Sequence, residues 1–337
     1  MRVLLIRMRW DTPSLVDVFP SRPRIERHAV RRSRGATTFY EVQARSIIEA
    51  VPQGTGLPYR WGVSPYRGCA SACLYCPGRR GHRRLGLDEG PGYGTAIVAR
   101  TNAARRLRAE LARPSWAGEP VAVGVGGDCY QEAEEVYRLM PSVVAALRDA
   151  GNAFTVLTKS PLVLRDAEQL REAGRYAEAR VMVSVGFVDD RLRRMVEPGA
   201  VSPQKRLEVC AALNEAGVPC GVLLAPVLPC LTDSTDQLRA AVRRAAEAGA
   251  VEVTPVVLAL PPGAREWYLR WLSAEHPGLL PRYAELYGSG PLAAAAYRER
   301  IVAEVAALCA LYGVGRSARG WRPSRSPARQ LALFEGG

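Results

Sequence analysis

The chain has 337 residues, of which 48% are hydrophobic and 23% charged, with 46 Lys and Arg against 33 Asp and Glu for a formal net charge of +13. That balance suits a chain that buries a core and excludes collagen-like, coiled-coil and wholly disordered classes. The longest apolar run, residues 220–231, holds two prolines and is too short to span a bilayer, and residues 3–6 are no signal-peptide core, so a cytoplasmic protein without a membrane contact is expected.

Residues 1–58 read as an irregular basic arm. Pro13, Pro20, Pro23, the basic run at 31–34 and Gly35 interrupt any periodic pattern, Met8 is a second candidate start, and 41–50 has the pattern of a short helix. From residue 59 strands and helices alternate. A strand over 61–66 runs into a cysteine-rich loop, and a helix covers 103–112. A strand over 121–125 ends in Gly126-Gly127, and helical spacing over 134–150 is stopped by Gly151. Then come a strand over 154–157, a helix over 162–173, a strand over 181–185 and a helix from Ser202-Pro203 to 216. A strand over 218–224, a helix over 235–248 and a strand over 251–258 complete six units. Apolar, β-branched strands between amphipathic helices mean a parallel sheet covered by helices, either an open (β/α)6 barrel or a doubly wound sheet. Beyond residue 260 only helical patterns remain, such as 292–312, followed by a basic tail. The expected divisions are a basic arm at 1–58, a barrel at 59–262, a helical extension at 263–313 and a tail at 314–337.

The positive charge is concentrated. Residues 1–40 and residues 78–113 each hold nine Arg against three acids, and residues 314–330 hold five Arg and no acid. The rest of the chain is slightly acidic. Such segments suit a polyanion or a solvated basic surface equally. Arg79, Arg80, Arg83 and Arg84 follow the cysteine loop directly and are candidates for phosphate contacts, with Tyr93 as a stacking partner.

Eight cysteines in a chain of this length and class are no disulfide framework. Three of them, Cys69, Cys73 and Cys76, follow a C-x3-C-x2-C spacing. Three thiolates this close suit one inorganic centre. An iron–sulfur cubane would leave one iron open to a substrate or cofactor. A zinc site completed by His82, or three inert thiols, are the rival readings. The place of the loop, after the first strand of a βα series, favours a catalytic centre.

This spacing, with Tyr75 before the last cysteine and six strand–helix units, resembles the radical S-adenosylmethionine (SAM) superfamily. The stretches Pro65-Tyr66-Arg67-Gly68-Cys69, Leu85-Gly86-Leu87, Leu111-Ala112-Arg113-Pro114, Asp128-x-Tyr130-Gln131, Leu157-Thr158-Lys159-Ser160 and Ala225-Pro226-Val227-Leu228-Pro229 resemble its spore-photoproduct-lyase-like branch, also called DNA repair lyase or photolyase-like. The resemblance covers residues 40–260 and implies an α/β fold, a partial (β/α)6 TIM-type barrel of the radical SAM type. It implies a [4Fe-4S] cluster on Cys69, Cys73 and Cys76 whose open iron chelates SAM, and an electron from a flavodoxin- or ferredoxin-type donor that cleaves SAM to methionine and a 5′-deoxyadenosyl radical.

The resemblance also suggests SAM contacts. Gly126-Gly127-Asp128 matches a Gly-Gly-Glu type of motif that receives the SAM ammonium, with Asp in place of Glu. Lys159 is a candidate for the SAM carboxylate, Ser184 for methionine or ribose, and the Tyr75 backbone and Pro226 for adenine. Cys129 is either a hydrogen donor to a product radical or a small packed residue. For the substrate, nucleic acid is the first expectation and a peptide, tRNA base or metabolite the second. A non-catalytic zinc module that binds nucleic acid is the reading from another class.

Overall fold

The computed structural model describes residues 30–34, 37–52 and 54–315. The expectations for 1–29 and for the tail from 316 onward lie outside them. The strands are β1 (Val30–Arg34), β2 (Thr37–Val42), β3 (Ile48–Ala50), β4 (Trp61–Val63), β5 (Tyr66–Arg67), β6 (Ala96–Arg100), β7 (Val121–Val123), β8 (Phe154–Thr158), β9 (Ala179–Ser184), β10 (Cys220–Val227) and β11 (Val253–Val257).

The larger sheet runs β11-β10-β9-β8-β7-β4-β3. Its six strands from β4 to β11 are parallel, and β3 joins the edge antiparallel to β4. β3 and β11 do not pair, so the barrel is open. All residues of β8 and all eight of β10 are buried, as expected for strands covered on both faces.

Side-chain alternation divides these strands between two cores. Val121, Val123, Val156, Val181, Val183 and Val222 face the helices, while Ala122, Leu157, Met182, Leu223 and Val256 fill the barrel. Residues two further along a strand share its face, so Lys159, Ser184 and Ala225 continue the inner rows of Leu157, Met182 and Leu223. This parity brings polar groups to the inside of the C-terminal rim.

The covering helices follow from their sequences. The helix Thr235–Glu247 starts at a capping box, with the Gln237 N–H donating to Ser234 Oγ at 3.3 Å. It buries Leu238, Ala241, Val242 and Ala245, one stripe at helical spacing. Beyond β11, the helices Ala264–Glu275, Leu280–Tyr287 and Ala295–Tyr312 bury Tyr268, Tyr283, Tyr287 and Ile301 in a second core shared with Leu224, Val227 and Leu258. Among the described residues no helix is long and apolar enough to cross a membrane.

Four local expectations are corrected. The strand over 61–66 breaks at Ser64-Pro65, and β5 leaves for the smaller sheet β1-β2-β6-β5. Proline supplies no N–H to a ladder. No helix forms over 41–50; instead Glu110 accepts the N–H groups of Ile47 and Ile48, at 3.1 and 2.8 Å, and β3 follows. Strand β6 was not expected at all, and it pairs parallel to β2. The helix over 134–150 is two, Glu132–Tyr137 and Leu139–Asp149, divided at Arg138 with φ of 48°. There Glu134 accepts the N–H of Leu139 at 2.9 Å and of Met140 at 3.1 Å, which caps the second helix.

Candidate functional site

The cysteine loop is shaped by backbone bonds to its surroundings. Gly68 enters it with φ of 76°, a conformation that favours glycine. Gln131 clamps the entry: its Nε2 donates to the Gly68 carbonyl at 2.9 Å, and its Oε1 accepts the Ala70 N–H at 3.0 Å. The Leu74 N–H donates to the Val196 carbonyl at 2.9 Å, and the Gly199 N–H to the Ser71 carbonyl at 3.2 Å.

Arg79 departs from the expected phosphate contact. Its side chain is 2% exposed, and it straps the loop from within. Nε donates to the Cys73 carbonyl at 3.0 Å, Nη2 to Ala72 at 2.9 Å, and Nη1 to Glu89 and Gly90 at 2.6 and 2.9 Å. The guanidinium lies 4.6 Å from the Tyr93 ring centroid and 5.0 Å from that of Trp267. With four carbonyls taken and two aromatic faces against it, it has no reach to a polyanion.

Cys69 and Cys73 are buried and Cys76 is half-buried. Cys76 Sγ lies 2.9 Å from Tyr93 Oη. Burial pushes the Cys69 thiol up to about 11, with the nearby Asp128 and Cys76 charges adding to it. Burial raises Cys73 further, partly opposed by Lys159. A metal must displace these protons, and its charge makes that favourable. Cys76 acts on Cys69, and both act on Cys73, so the three share one small region.

Among the described residues, no three His, Cys, Asp or Glu side chains stand together as they would around one ion. A cubane makes a different demand, because its ligated irons occupy separate corners. The three thiols on one strapped loop fit that demand. His82 belongs to no group of three or more ligand side chains that could hold one ion; its Nδ1 pairs with the Asp88 carbonyl at 3.1 Å, and its ring stands edge-on to Tyr93 with centroids 4.8 Å apart. Burial lowers its pKa, so the ring is neutral.

The inner rim of the barrel carries the other expected residues. Gly126 and Gly127 follow β7, and the Gly126 N–H donates to Ser64 Oγ at 2.8 Å. A Cβ on Gly127 would stand 2.5 Å from the Gly68 carbonyl oxygen, so glycine is needed for this close approach. Asp128 is already engaged. Its Oδ1 accepts from the Tyr130 N–H at 2.9 Å and from Thr158 Oγ1 at 2.6 Å, and its Oδ2 from the Lys159 N–H at 2.7 Å. It therefore ties the glycine loop to the end of β8.

Lys159 Nζ donates to Ser184 Oγ at 2.8 Å and lies 3.8 Å from Glu197. Ser184 Oγ donates in turn to the Ala225 carbonyl at 3.0 Å, beside Pro226. Burial alone would lower the Lys159 pKa, but Glu197 and Cys73 outweigh it and keep the ammonium charged. Glu197 is fully buried and accepts from both Tyr75 Oη and the Arg206 guanidinium. Burial would raise its carboxyl, yet Lys159 and Arg206 hold it below its ordinary value. Arg206 also donates to the Ser184 carbonyl at 3.1 Å. Two cations around one carboxylate leave this buried group with a net positive charge, close to Cys73.

Cys129 is not placed to donate hydrogen to a radical. It is buried in the helix-facing core, with Sγ 3.8 and 3.7 Å from the Val123 and Leu157 carbonyl oxygens. Arg80, Arg83 and Arg84 are exposed. With Glu89, Pro262 and Gly263 they line a hollow of about 400 Å³.

Sequence reasoning gave no role to Arg206, to Glu197 or to the bond from Tyr93 to Cys76, and it quoted Gln131 only within a resembling stretch. Their partners come from other elements, and no local spacing marks them. The Glu197-Pro198-Gly199 turn was the available signal, since a carboxylate between an apolar helix end and a turn needs a partner.

A family model described as Radical SAM superfamily matches residues 63–242, more than half of the chain. The chain belongs to the radical SAM superfamily. An uncharacterized protein of Mycobacterium tuberculosis is 42% identical over 296 residues, spanning 88% of this chain and 86% of that protein. An uncharacterized protein of Methanocaldococcus jannaschii is 23% identical over 174 residues, spanning 52% of this chain and 62% of that one. Among solved structures, a cysteine-to-serine mutant of spore photoproduct lyase superposes with a TM-score of 0.61 at 14% identity, covering 82% of this chain and 80% of that one. Another spore photoproduct lyase mutant, with bound AdoMet and dinucleoside spore photoproduct, superposes at 0.58 and 13% identity over the same shares. The radical SAM fold and an enzyme of that superfamily are thus established, with the open sheet and helical C-terminal part described above.

Proposed function

We propose that this radical SAM enzyme holds a [4Fe-4S] cluster on Cys69, Cys73 and Cys76, binds SAM against the inner rim of the barrel, and acts on a nucleic-acid substrate. When bound, the cluster supplies the electron that cleaves SAM to methionine and a 5′-deoxyadenosyl radical able to abstract hydrogen. The observation that carries the reading is the half-buried cation Lys159, held by Ser184 and Glu197 beside Cys73 on the inner face.

The chain's own residues would divide the work. The Gly126 and Gly127 carbonyls would accept from the SAM ammonium. Lys159 retains a third N–H for the SAM carboxylate, and Ser184 and the Ala225-Pro226 segment would flank the nucleoside side. Asp128 fixes the glycine loop, and Tyr75 fixes the loop from below through Glu197. Enclosure of Cys69 and Cys73 keeps water from the thiolates.

A nucleic-acid substrate is supported by the net charge of +13 and by the likeness to a fold that holds a dinucleoside photoproduct. Anaerobic reconstitution tests the chemistry. About four irons and four sulfides per chain are expected. Dithionite with SAM should then yield 5′-deoxyadenosine, and Cys73→Ala should abolish it. A colourless protein with one zinc, or product from the mutant at the parent rate, overturns the reading. A metabolite or peptide as substrate would be indicated by 5′-deoxyadenosine formation without any salt-sensitive binding of DNA or RNA.

A further inference from the structure

Tyr93 stands 17 residues beyond the last cysteine of the motif, yet it touches both ends of it. Its carbonyl accepts the Cys69 N–H at 3.4 Å, and its Oη lies 2.9 Å from Cys76 Sγ. The residue is fully buried, so it offers no face for a base to stack on, contrary to the expectation from sequence. Its ring is held instead by the Arg79 guanidinium, 4.6 Å from the centroid, and by the His82 ring, edge-on at 4.8 Å.

The short 3-10 helix that carries Tyr93, Pro91–Gly94, is fixed against the cysteine loop. The Asp88 carboxylate accepts the Gly90 N–H at 2.8 Å and the Gly92 N–H at 2.7 Å, which sets the lead-in. A Cβ on Gly94 would stand 2.9 Å from the Ala72 Cβ, so the backbone of the turn packs directly on the loop. Gly78 makes room for the hydroxyl. Its φ of −62° and ψ of −18° are right-handed helical values open to any residue, so the backbone there does not call for glycine. Space does. A Cβ on Gly78 would stand 2.5 Å from Tyr93 Oη, 3.2 Å from the Gly126 carbonyl oxygen and 3.4 Å from Cys76 Sγ. A candidate ligand sulfur, a phenol hydroxyl and the carbonyl assigned above to the SAM ammonium thus converge on one glycine.

The chemistry of the two groups sets the direction of the bond. A cysteine that ligates iron is a thiolate without a proton, and a phenol carries one O–H. Tyr93 is then the donor and Cys76 Sγ the acceptor. The hydroxyl is shut away from water, so this bond is electrostatically stronger than it would be in solvent. Hydrogen bonds to the sulfurs of an iron–sulfur cluster tune its potential. A donor stabilises the reduced form, which carries one more negative charge, more than the oxidised form. We propose that Tyr93 is a positioning residue for the electron: its hydroxyl, donating to Cys76 Sγ, raises the reduction potential of the cluster, and Gly78 is the space that admits it. The one-electron step balances without the tyrosine: a low-potential reductant such as dithionite loses the electron, the cluster gains it, and the Tyr93 proton stays on its oxygen. This role rests on the cluster reading above.

The test uses the reconstituted holoenzyme without SAM, so that substrate binding does not enter. Tyr93→Phe keeps the ring against Arg79 and His82 and removes only the hydroxyl. Iron per chain should equal that of the parent. A redox titration followed by electron paramagnetic resonance should show the one-electron reduction about tenfold less favourable, a midpoint about 59 mV more negative. A second readout addresses the bond itself. In the reduced parent, pulsed electron–nuclear double resonance should show a proton coupling that disappears on reconstitution in D2O and that Tyr93→Phe lacks in either solvent. A midpoint in Tyr93→Phe equal to or above that of the parent overturns the proposal. So does an exchangeable coupling identical in parent and variant. Loss of iron from Tyr93→Phe overturns it too, since the hydroxyl would then hold the loop rather than tune the cluster. Failure of the cluster reading shows separately, as a parent protein that takes up no iron.

Discussion

Glu197 carries more of the site than its place in the sequence suggests. It is fully buried between Tyr75 of the cysteine motif, Arg206 and Lys159. Glu197→Gln removes the charge and keeps the shape, so the buried Arg206 and the half-buried Lys159 lose their counter-charge. Breaking a buried pair in this way costs about 3 kcal/mol or more, measurable as a lower urea midpoint. The effect has a defined pH dependence. The Glu197 carboxyl is held below its ordinary value of 4.5. Its stabilisation is therefore complete above 4.5 and is lost as pH falls through the lowered value. The deficit of the variant should be largest near neutrality and should shrink toward acid; a deficit that grows on acidification contradicts the assignment. Arg79 illustrates the same point from the other side. As one of four arginines after the cysteine loop it suggested phosphate binding, but its four carbonyl bonds make it a strap. Arg79→Lys keeps the charge and loses the planar fork, so iron bound per chain should fall even though the net charge does not change.

At the scale of elements, the loop after β7 meets the entry of the cysteine loop after β5 at close range. A Cβ on Gly127 would reach 2.5 Å from the Gly68 carbonyl oxygen, and a backbone atom cannot rotate away. Gly127→Ala should cost about 1–3 kcal/mol through overpacking. It should also displace Gly68 and with it Cys69, so iron per chain and SAM affinity should fall together. Retained SAM affinity with full iron would show that this approach does not position the site. The six parallel strands were legible because apolar, β-branched runs bounded by glycine and proline recur at regular spacing. The break after Val63 was not, because Tyr66 and Arg67 look like the continuation of a strand. Their pairing with β6 is decided by a segment some thirty residues away, which carries no turn signal of its own. The break at Arg138 was hidden for a related reason: the Glu134 carboxylate that caps the second helix reads as an ordinary exposed helix residue, yet burial lifts its pKa and three separate elements share it.

For the whole molecule, the sheet stays open between β3 and β11. If the substrate is a nucleic acid, its affinity must fall with salt, with a slope of about −0.7 to −0.9 per phosphate neutralised in a plot of log K against log salt. A flat salt response would direct the search for a substrate to small uncharged molecules.

The sequence by itself determined the chemistry and the class of fold. C-x3-C-x2-C is a local spacing, and a βα series with inner and outer rows is a periodic pattern, so both can be read along a single line of residues. Only the tertiary structure decided which charges are used and which are spent. Asp128 and Arg79 are consumed by hydrogen bonds within the chain, Cys129 faces a core, and Glu197 gains its role from partners brought in by other strands and helices. The reason is physical: a charged side chain acts through what lies within a few ångströms of it, and folding alone sets those neighbours.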